Sequence, residues 1–281
     1  MPTRIEDYAI IGDCHTAALI SREGSIDWLC FPRFDSAACF ARLLGDERHG
    51  YYRIAPRRGE VKAVRRRYRQ DSLVLETEFE TETGTAVLID FMPTRSGAAD
   101  LFRIVEGRSG QVELELELVM RFDYGIVVPW VRRTEDGIVA TAGPDLLRFR
   151  TKVPFQNKDE KTTARFTVRE GESVSFDLTW HPSHEAAPPA LDVATALKDT
   201  DRFWTTWASR CTYDGPFREA VVRSLLVLKA LTYAPTGGLV AAATTSLPEH
   251  FGGCRNWDYR YCWLRDATFT LLALLRSGYR D

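Results

Sequence analysis

The sequence predicts an α+β, multidomain chain. An N-terminal antiparallel β-sandwich covers residues 1–180, a linker with a linker helix covers 181–212, and a helical hairpin covers 213–281. Three observations carry that prediction. Short apolar runs separated by tight-turn signals fill the chain up to Trp180. The segment His181-Pro-Ser-His-Glu-Ala-Ala-Pro-Pro-Ala190 then breaks all periodicity with three prolines. Beyond it, apolar residues recur at helical spacing.

The strands follow in order. Ala17–Ile20 and Ser25–Leu29 flank the turn Ser21-Arg-Glu-Gly24 as a hairpin. Leu73, Leu75, Thr77 and Phe79 alternate with Val74, Glu76 and Glu78, and Thr81-Glu-Thr-Gly84 turns the chain into Ala86–Phe91. Val112-Glu-Leu-Glu-Leu-Glu-Leu118 is the cleanest period-2 run, a strand with one wet face and one buried face. Phe166 and Val168, then Val174, Phe176 and Leu178, flank Arg169-Glu-Gly-Glu172 as a further hairpin. One short helix interrupts them, with Asp35 or Ser36 as N-cap and Cys39, Phe40 and Leu43 as its apolar stripe.

Helices follow the linker. Leu191–Arg210 carries Ala194, Leu197, Trp204 and Trp207 on one face. Pro216 opens a second helix with Phe217, Val221, Leu225, Leu228 and Leu231, and Pro235, Gly237 and Gly238 close it. A long loop from Leu239 to about Asp258 precedes a last helix over Trp263–Ser277, stopped by Gly278. Phe269, Leu271, Leu272, Leu274 and Leu275 spread around most of that helix. The β-domain covers them, or a partner chain does, or further helices of a longer protein do. The second case makes the chain a homo-oligomer through its helix faces.

Composition narrows the function classes. Apolar residues make up 44% of the 281, charged residues 27%, enough for a sizeable core and too apolar for disorder. Net charge is −2, so no overall field favours nucleic acid or an anionic membrane surface. The N-terminus, with Glu6 and Asp7 where an apolar core of a leader would start, shows no signal peptide, and the apolar runs are too short to span a bilayer. The expected location is the cytoplasm. Six cysteines without a CxxC pair read as reduced, buried thiols. His181 and His184 are three apart, but Pro182 forbids a helical ligand pair, so neither a metal nor any other cofactor is expected.

Chemistry concentrates in Arg255-Asn-Trp-Asp-Tyr-Arg-Tyr-Cys-Trp-Leu-Arg-Asp266, which packs two Trp, two Tyr, three Arg and two Asp into twelve positions. A carboxylate accepts from vicinal hydroxyls while a guanidinium donates to them. Flat indole and phenol faces pack on the C–H faces of a sugar ring. The bland alternative is an aromatic-rich helix start with a satisfied Arg–Asp pair.

The block Asn256–Asp266 resembles the first conserved block of glycoside hydrolase family 15, the glucoamylases and bacterial trehalases. Ile11-Gly-Asp-Cys-His-Thr-Ala-Ala-Leu-Ile-Ser-Arg-Glu-Gly-Ser-Ile-Asp-Trp-Leu-Cys30, with Pro32-Arg-Phe-Asp-Ser36, is similar to the trehalase-like N-terminal domain of bacterial members. Thr244-Thr-Ser-Leu-Pro-Glu249 is similar to the loop before the first block. The resemblance implies a β-sandwich and linker helix followed by an (α/α)6 toroid, of which residues 213–281 supply the first hairpin, and so an incomplete catalytic domain. It implies inverting hydrolysis of α-glucosidic bonds, of trehalose or an α-glucan, releasing glucose. Arg265 and Asp266 then match the pair that holds the terminal glucose, Tyr259 an aromatic beside the anomeric centre, and Trp263 a pocket wall. Trp257 stands where fungal glucoamylases usually have Pro.

Inversion needs two carboxyl groups about 6.5–9.5 Å apart, one acid and one base. The resemblance assigns both to Glu residues beyond Asp281, so no catalytic residue is expected within this sequence. Glu249 and Asp258 are the only carboxylates near the block that stand as substitutes, and the resemblance gives both supporting positions. The expected partner is a glucose-containing di- or oligosaccharide. The competing reading is a non-catalytic carbohydrate-binding or interaction module.

Overall fold

The computed structural model describes residues 3–95, 97–245 and 253–280. The described residues form a mostly antiparallel sheet with three α-helices. The strands are β1 (Tyr8–Gly12), β2 (Ala17–Ser21), β3 (Ser25–Cys30), β4 (Ala38–Phe40), β5 (Tyr51–Pro56) and β6 (Val61–Tyr68). They continue as β7 (Leu75–Thr81), β8 (Gly84–Phe91), β9 (Ala99–Val119), β10 (Trp130–Arg133), β11 (Gly137–Ala142) and β12 (Asp145–Thr151). Then come β13 (Gln156–Lys158), β14 (Lys161–Arg169), β15 (Ser173–Pro182), helix α1 (Val193–Ala208) and helix α2 (Arg218–Ala230). A two-strand ribbon of β16 (Thr232–Tyr233) and β17 (Gly238–Leu239) precedes helix α3 (Leu264–Arg276).

The 21 residues of β9 are the spine. Residues 99–106 pair with β15 and residues 102–110 with β8, whereas residues 111–118 pair with β14 and residues 114–119 with β5. The strand changes neighbours at Gly107 and Gly110. Gly110 has a left-handed φ of 58°, and a Cβ on Gly107 would lie 2.0 Å from the Arg169 carbonyl oxygen. Along the second half, Val112, Leu114, Leu116 and Leu118 are buried while Glu113 is exposed and Glu115 and Glu117 are half-buried, the alternation that period 2 predicts.

The change of neighbours corrects one expectation. The segments flanking Arg169-Glu-Gly-Glu172 do not pair with each other. β14 lies on one half of β9 and β15 on the other, so the turn carries the chain past the point where β9 changes neighbours. A second correction concerns residues 36–43. Ala38–Phe40 is strand β4, paired with β3 through Leu29↔Phe40 and Cys30↔Ala38, and only Arg42–Leu44 makes a helical turn, of the 3-10 type. All three β4 residues are buried, so both faces of the segment are covered, which suits a strand better than a one-sided helix.

One apolar cluster draws on both halves of the strand set, with Ile54, Leu114, Leu116 and Leu118 from one and Leu101, Phe149, Phe176 and Leu178 from the other. Arg103 is fully buried within β9. It makes a two-pronged pair with Asp90 (2.7 and 3.2 Å), donates to the carbonyls of Tyr52 (2.7 Å) and Gly24 (2.8 Å), and lies over the Tyr52 ring. A buried charge persists only when paired and hydrogen-bonded in this way.

Helices α1 and α2 pack on the strands. The seam of α1 is Ala196, Thr200, Trp204 and Ala208, at strict i, i+4 spacing, while Ala194 is exposed and Leu197 and Trp207 sit at the seam's edge. The seam of α2 is Val222, Leu225, Leu226 and Ala230, and Phe217 precedes the helix exposed to solvent. Arg223 lies 4.0 Å over the Tyr68 ring and donates to the Ser72 carbonyl at 2.6 Å. Asp192 caps α1 by accepting from the Thr195 amide at 2.9 Å.

Helix α3 differs. None of its residues is buried, and Leu264 (86% exposed), Phe269 (64%), Leu271, Leu272 and Leu275 face solvent. No helix among the described residues is long and apolar enough to cross a membrane.

The buried pair yields a sharp expectation. Asp90→Ala should lower the urea unfolding free energy by about 3–5 kcal/mol, because Arg103 is left uncompensated in the core. The double change Asp90→Leu with Arg103→Met should recover little of it, since the Tyr52 carbonyl loses the Arg103 donor and the Gly24 carbonyl is left with the Ile54 amide. Full recovery would mean that those carbonyls do not depend on Arg103.

Candidate functional site

Residues 240–245 run antiparallel to residues 258–262. The Ala242 amide donates to the Tyr259 carbonyl (2.9 Å) and the Ala241 amide to the Tyr261 carbonyl (3.1 Å), with isolated bridges at Val240↔Cys262 and Thr245↔Asp258. Trp28 of β3 holds the first of these segments by donating its Nε1–H to the Ala243 carbonyl at 2.9 Å. Of the Thr244–Glu249 motif, Thr244 and Thr245 are described. Glu249, one of the two nominated carboxylates, lies outside the described residues.

The second segment delivers the aromatic block to the start of α3. Trp263 is the N-cap, with extended φ/ψ, and its Nε1–H donates to the Asp258 carbonyl at 3.0 Å. The Tyr259 ring centroid is 5.4 Å from that of Trp263, and Trp257 stands nearly perpendicular to it at 6.2 Å. The structure therefore gathers Trp257, Tyr259 and Trp263 into one cluster. Arg265 and Asp266 follow in the first turn of α3, joined by a 3.2 Å ion pair. The Arg265 side chain is 68% exposed and that of Asp266 32%. Neither is sealed, so the pair presents donors and acceptors to solvent just after Trp263 in the chain. A carboxylate in the first helical turn is also favoured by the aligned peptide dipoles.

Asp258 has a different role. Arg260 grips it with two prongs, Nε to Oδ1 at 3.0 Å and Nη2 to Oδ2 at 2.7 Å. Partial burial works against the carboxylate charge, but the Arg260 hydrogen bonds and charge outweigh it and hold the carboxyl below its usual range. A group held ionised in this way is a poor proton donor.

Sequence reasoning took the three arginines of the block together and missed what sets Arg260 apart. Arg260 is 6% exposed and its Nη1 reaches into the β-region, to the carbonyls of Ser36 (2.8 Å) and Phe34 (3.3 Å) and to Cys30 Sγ (3.6 Å). Tyr124 covers its face at 5.5 Å. The one available signal was the Asp258-x-Arg260 spacing, which places both side chains on one side of an extended segment.

The thiols are mixed. Cys14, Cys30 and Cys39 are buried, and burial pushes Cys14 and Cys30 up to about 12, so both are inert at neutral pH. Cys254 and Cys262 are exposed, contrary to the expectation of buried thiols throughout. A cleft of about 740 Å³ opens over β9 and β14, lined by Glu115, Glu117, Phe155 and Arg165, and contains none of the aromatic block.

The family model described as "Trehalase-like, N-terminal" matches residues 1–187. The chain belongs to that family. The model for "Glycosyl hydrolases family 15" matches residues 215–281, which contain the whole aromatic block and α3. A trehalase of Mycolicibacterium smegmatis is 37% identical over 98% of the chain, and a trehalase of Thermoplasma volcanium 31% identical over 99%. The chain spans 45% of each, about half the length of the curated relatives it matches. A bacterial glucoamylase solved with acarbose superposes over 99% of the chain and 48% of its own, with a TM-score of 0.67 at 13% identity, which speaks for the fold.

The Arg260–Asp258 pair has a pH signature. A carboxyl lowered in the folded state contributes stability above its unfolded pKa and loses it as the pH falls through the folded value. Asp258→Asn should therefore lower Tm at pH 7, and the gap from wild type should close as the pH falls below about 4. A gap that stays constant from pH 7 to pH 3 would show that the charge of Asp258 contributes nothing.

Proposed function

We propose that this chain serves the hydrolysis of α-glucosidic bonds, with trehalose as the first candidate substrate. In this reading residues 1–180 form an antiparallel sandwich, 181–212 a linker, and 213–281 the first hairpin of an (α/α)6 toroid. Arg265 and Asp266 grip the hydroxyls of the terminal glucose, and Trp263 and Tyr259 wall the pocket. The observation that carries this is the identity of 31–37% to proteins named trehalase, maintained over 93–99% of the chain.

The chemistry assigns roles within the described block. Asp258 is fixed to Arg260 and Asp266 faces Arg265, so each carboxylate has a cationic partner. Asp258, held ionised by Arg260, is suited to accepting hydrogen bonds, whereas a general acid needs a raised pKa. In this reading the acid and base of the inverting pair lie on two Glu residues outside this block, and the block's work is to hold the sugar so that the bond sits between them. Binding energy from the held glucose is then available to the transition state.

Two assays separate this from a non-catalytic carbohydrate-binding module. A product that carries this chain and spans the whole length of the trehalases it matches, the full-length gene product of this reading, should release glucose from trehalose, with maltose and isomaltose as comparison substrates. Asp266→Ala should lower kcat/KM roughly 10²–10³-fold, the usual loss when one preorganised polar contact is removed. The folded 281-residue chain alone should bind trehalose without turnover. Glucose release from that chain, abolished by Glu249→Gln or Asp258→Asn, would place the reacting carboxylates inside this sequence. Sugar binding without turnover in the full-length product would favour the module.

A further inference from the structure

We propose that Arg260 is a positioning residue for the sugar site: its buried guanidinium transmits the geometry of the β-region to Trp263 and the first turn of α3. The inference rests on the glycosidase reading and deepens it, because it assigns the N-terminal block a task in substrate recognition.

The argument starts from what fixes α3. Its own packing does not, since no residue of the helix is buried. Its C-terminal end is tied to α1, where Tyr279 stacks on Trp207 at 4.2 Å and donates to the Trp207 carbonyl at 3.1 Å. At its N-terminal end the ties lie upstream. Trp263 hangs on the Asp258 carbonyl, the Asp258 side chain is gripped by Arg260, and Arg260 is seated on Cys30, Phe34 and Ser36.

The seat uses the geometry of a guanidinium. Nε–H and one Nη2–H go to the carboxylate in the parallel fork, and Nη1 serves the two carbonyls and the thiol on the opposite side. A lysine supplies a point charge at one nitrogen and cannot span both sides. The carbonyls come from the loop after β3, part of the segment Ile11–Ser36 that marks the N-terminal block. Trp28, in the same block, fixes the neighbouring segment at Ala243. Both sides of the short antiparallel pairing that leads into the site are thus set by β3 and the loop after it.

The test has two arms. In the first, the 281-residue chain is labelled with 5-fluorotryptophan and the Trp263 resonance is assigned with Trp263→Phe. Arg260→Ala and Arg260→Lys should both displace that resonance and leave those of Trp180 and Trp204 in place. An unmoved Trp263 resonance in a folded variant would overturn the proposal. In the second arm, the same variants of the full-length gene product should lose about 10- to 100-fold in kcat/KM on trehalose, measured well below Tm; a misplacement of about 1 Å is known to cost that much. Arg223→Ala, which loosens α2 on the strands, is the stability control and should lower Tm without changing kcat/KM per folded molecule. Equal kcat/KM in the Arg260 variants and this control would overturn the link to the site. A wild-type product inactive on every α-glucoside would sink the glycosidase reading and with it that link, and the Trp263 resonance would then decide the positioning by itself.

Discussion

A guanidinium taken wholly out of water sets the frame on which everything else in this chain rests. Arg103 in β9 is compensated by Asp90 of β8 and by two carbonyls, one from Tyr52 in β5 and one from Gly24 in the turn before β3. Those three partners meet only if β8, β5 and the β2–β3 turn lie in register around β9. The Gly24 carbonyl also accepts the Ile54 amide, so the turn is fastened twice. From that turn runs β3, with Trp28, Cys30 and the loop to Ser36. The position of the site is therefore inherited, through β3, from a charge that the core cannot leave unpaired.

The same logic recurs at the edge of the molecule. Arg260, too, spends its head on backbone carbonyls and one carboxylate, and it joins residues far apart in sequence. Through Arg260 the strand region supports a helix none of whose residues is buried. Leu264, Phe269, Leu271, Leu272 and Leu275 remain open on α3. Apolar surface left in water forgoes about 25 cal/mol per Å², so the helix is held by its two ends and by polar ties more than by burial.

Much of this was legible in the sequence, and the failures share one cause. The β2–β3 and β7–β8 hairpins, the alternation of Val112–Leu118 and the limits of α3 are local patterns, and local physics decides them. The strand at Ala38–Phe40 and the crossing at Arg169–Glu172 depend on neighbours from elsewhere: β3 supplies the partner of the first, and the two halves of β9 take the two arms of the second. Trp257, Tyr259, Trp263, Arg265 and Asp266 were visible as a composition. Arg260 was not separable from its neighbours, because an arginine in an extended segment looks the same whether it faces a sugar or a carbonyl 224 residues away.

The central claim is that the aromatic block, fixed by the β-region, is where the sugar sits. The most direct measurement is a crystal structure of the full-length gene product with a non-hydrolysable trehalose analogue. The terminal glucose should place its hydroxyls within hydrogen-bond distance of Arg265 and Asp266, with a ring face against Trp263 and Arg260 still seated on Ser36. A sugar bound elsewhere, for instance in the cleft over β9 and β14, with Arg265 and Asp266 bonded only to each other, would contradict the account.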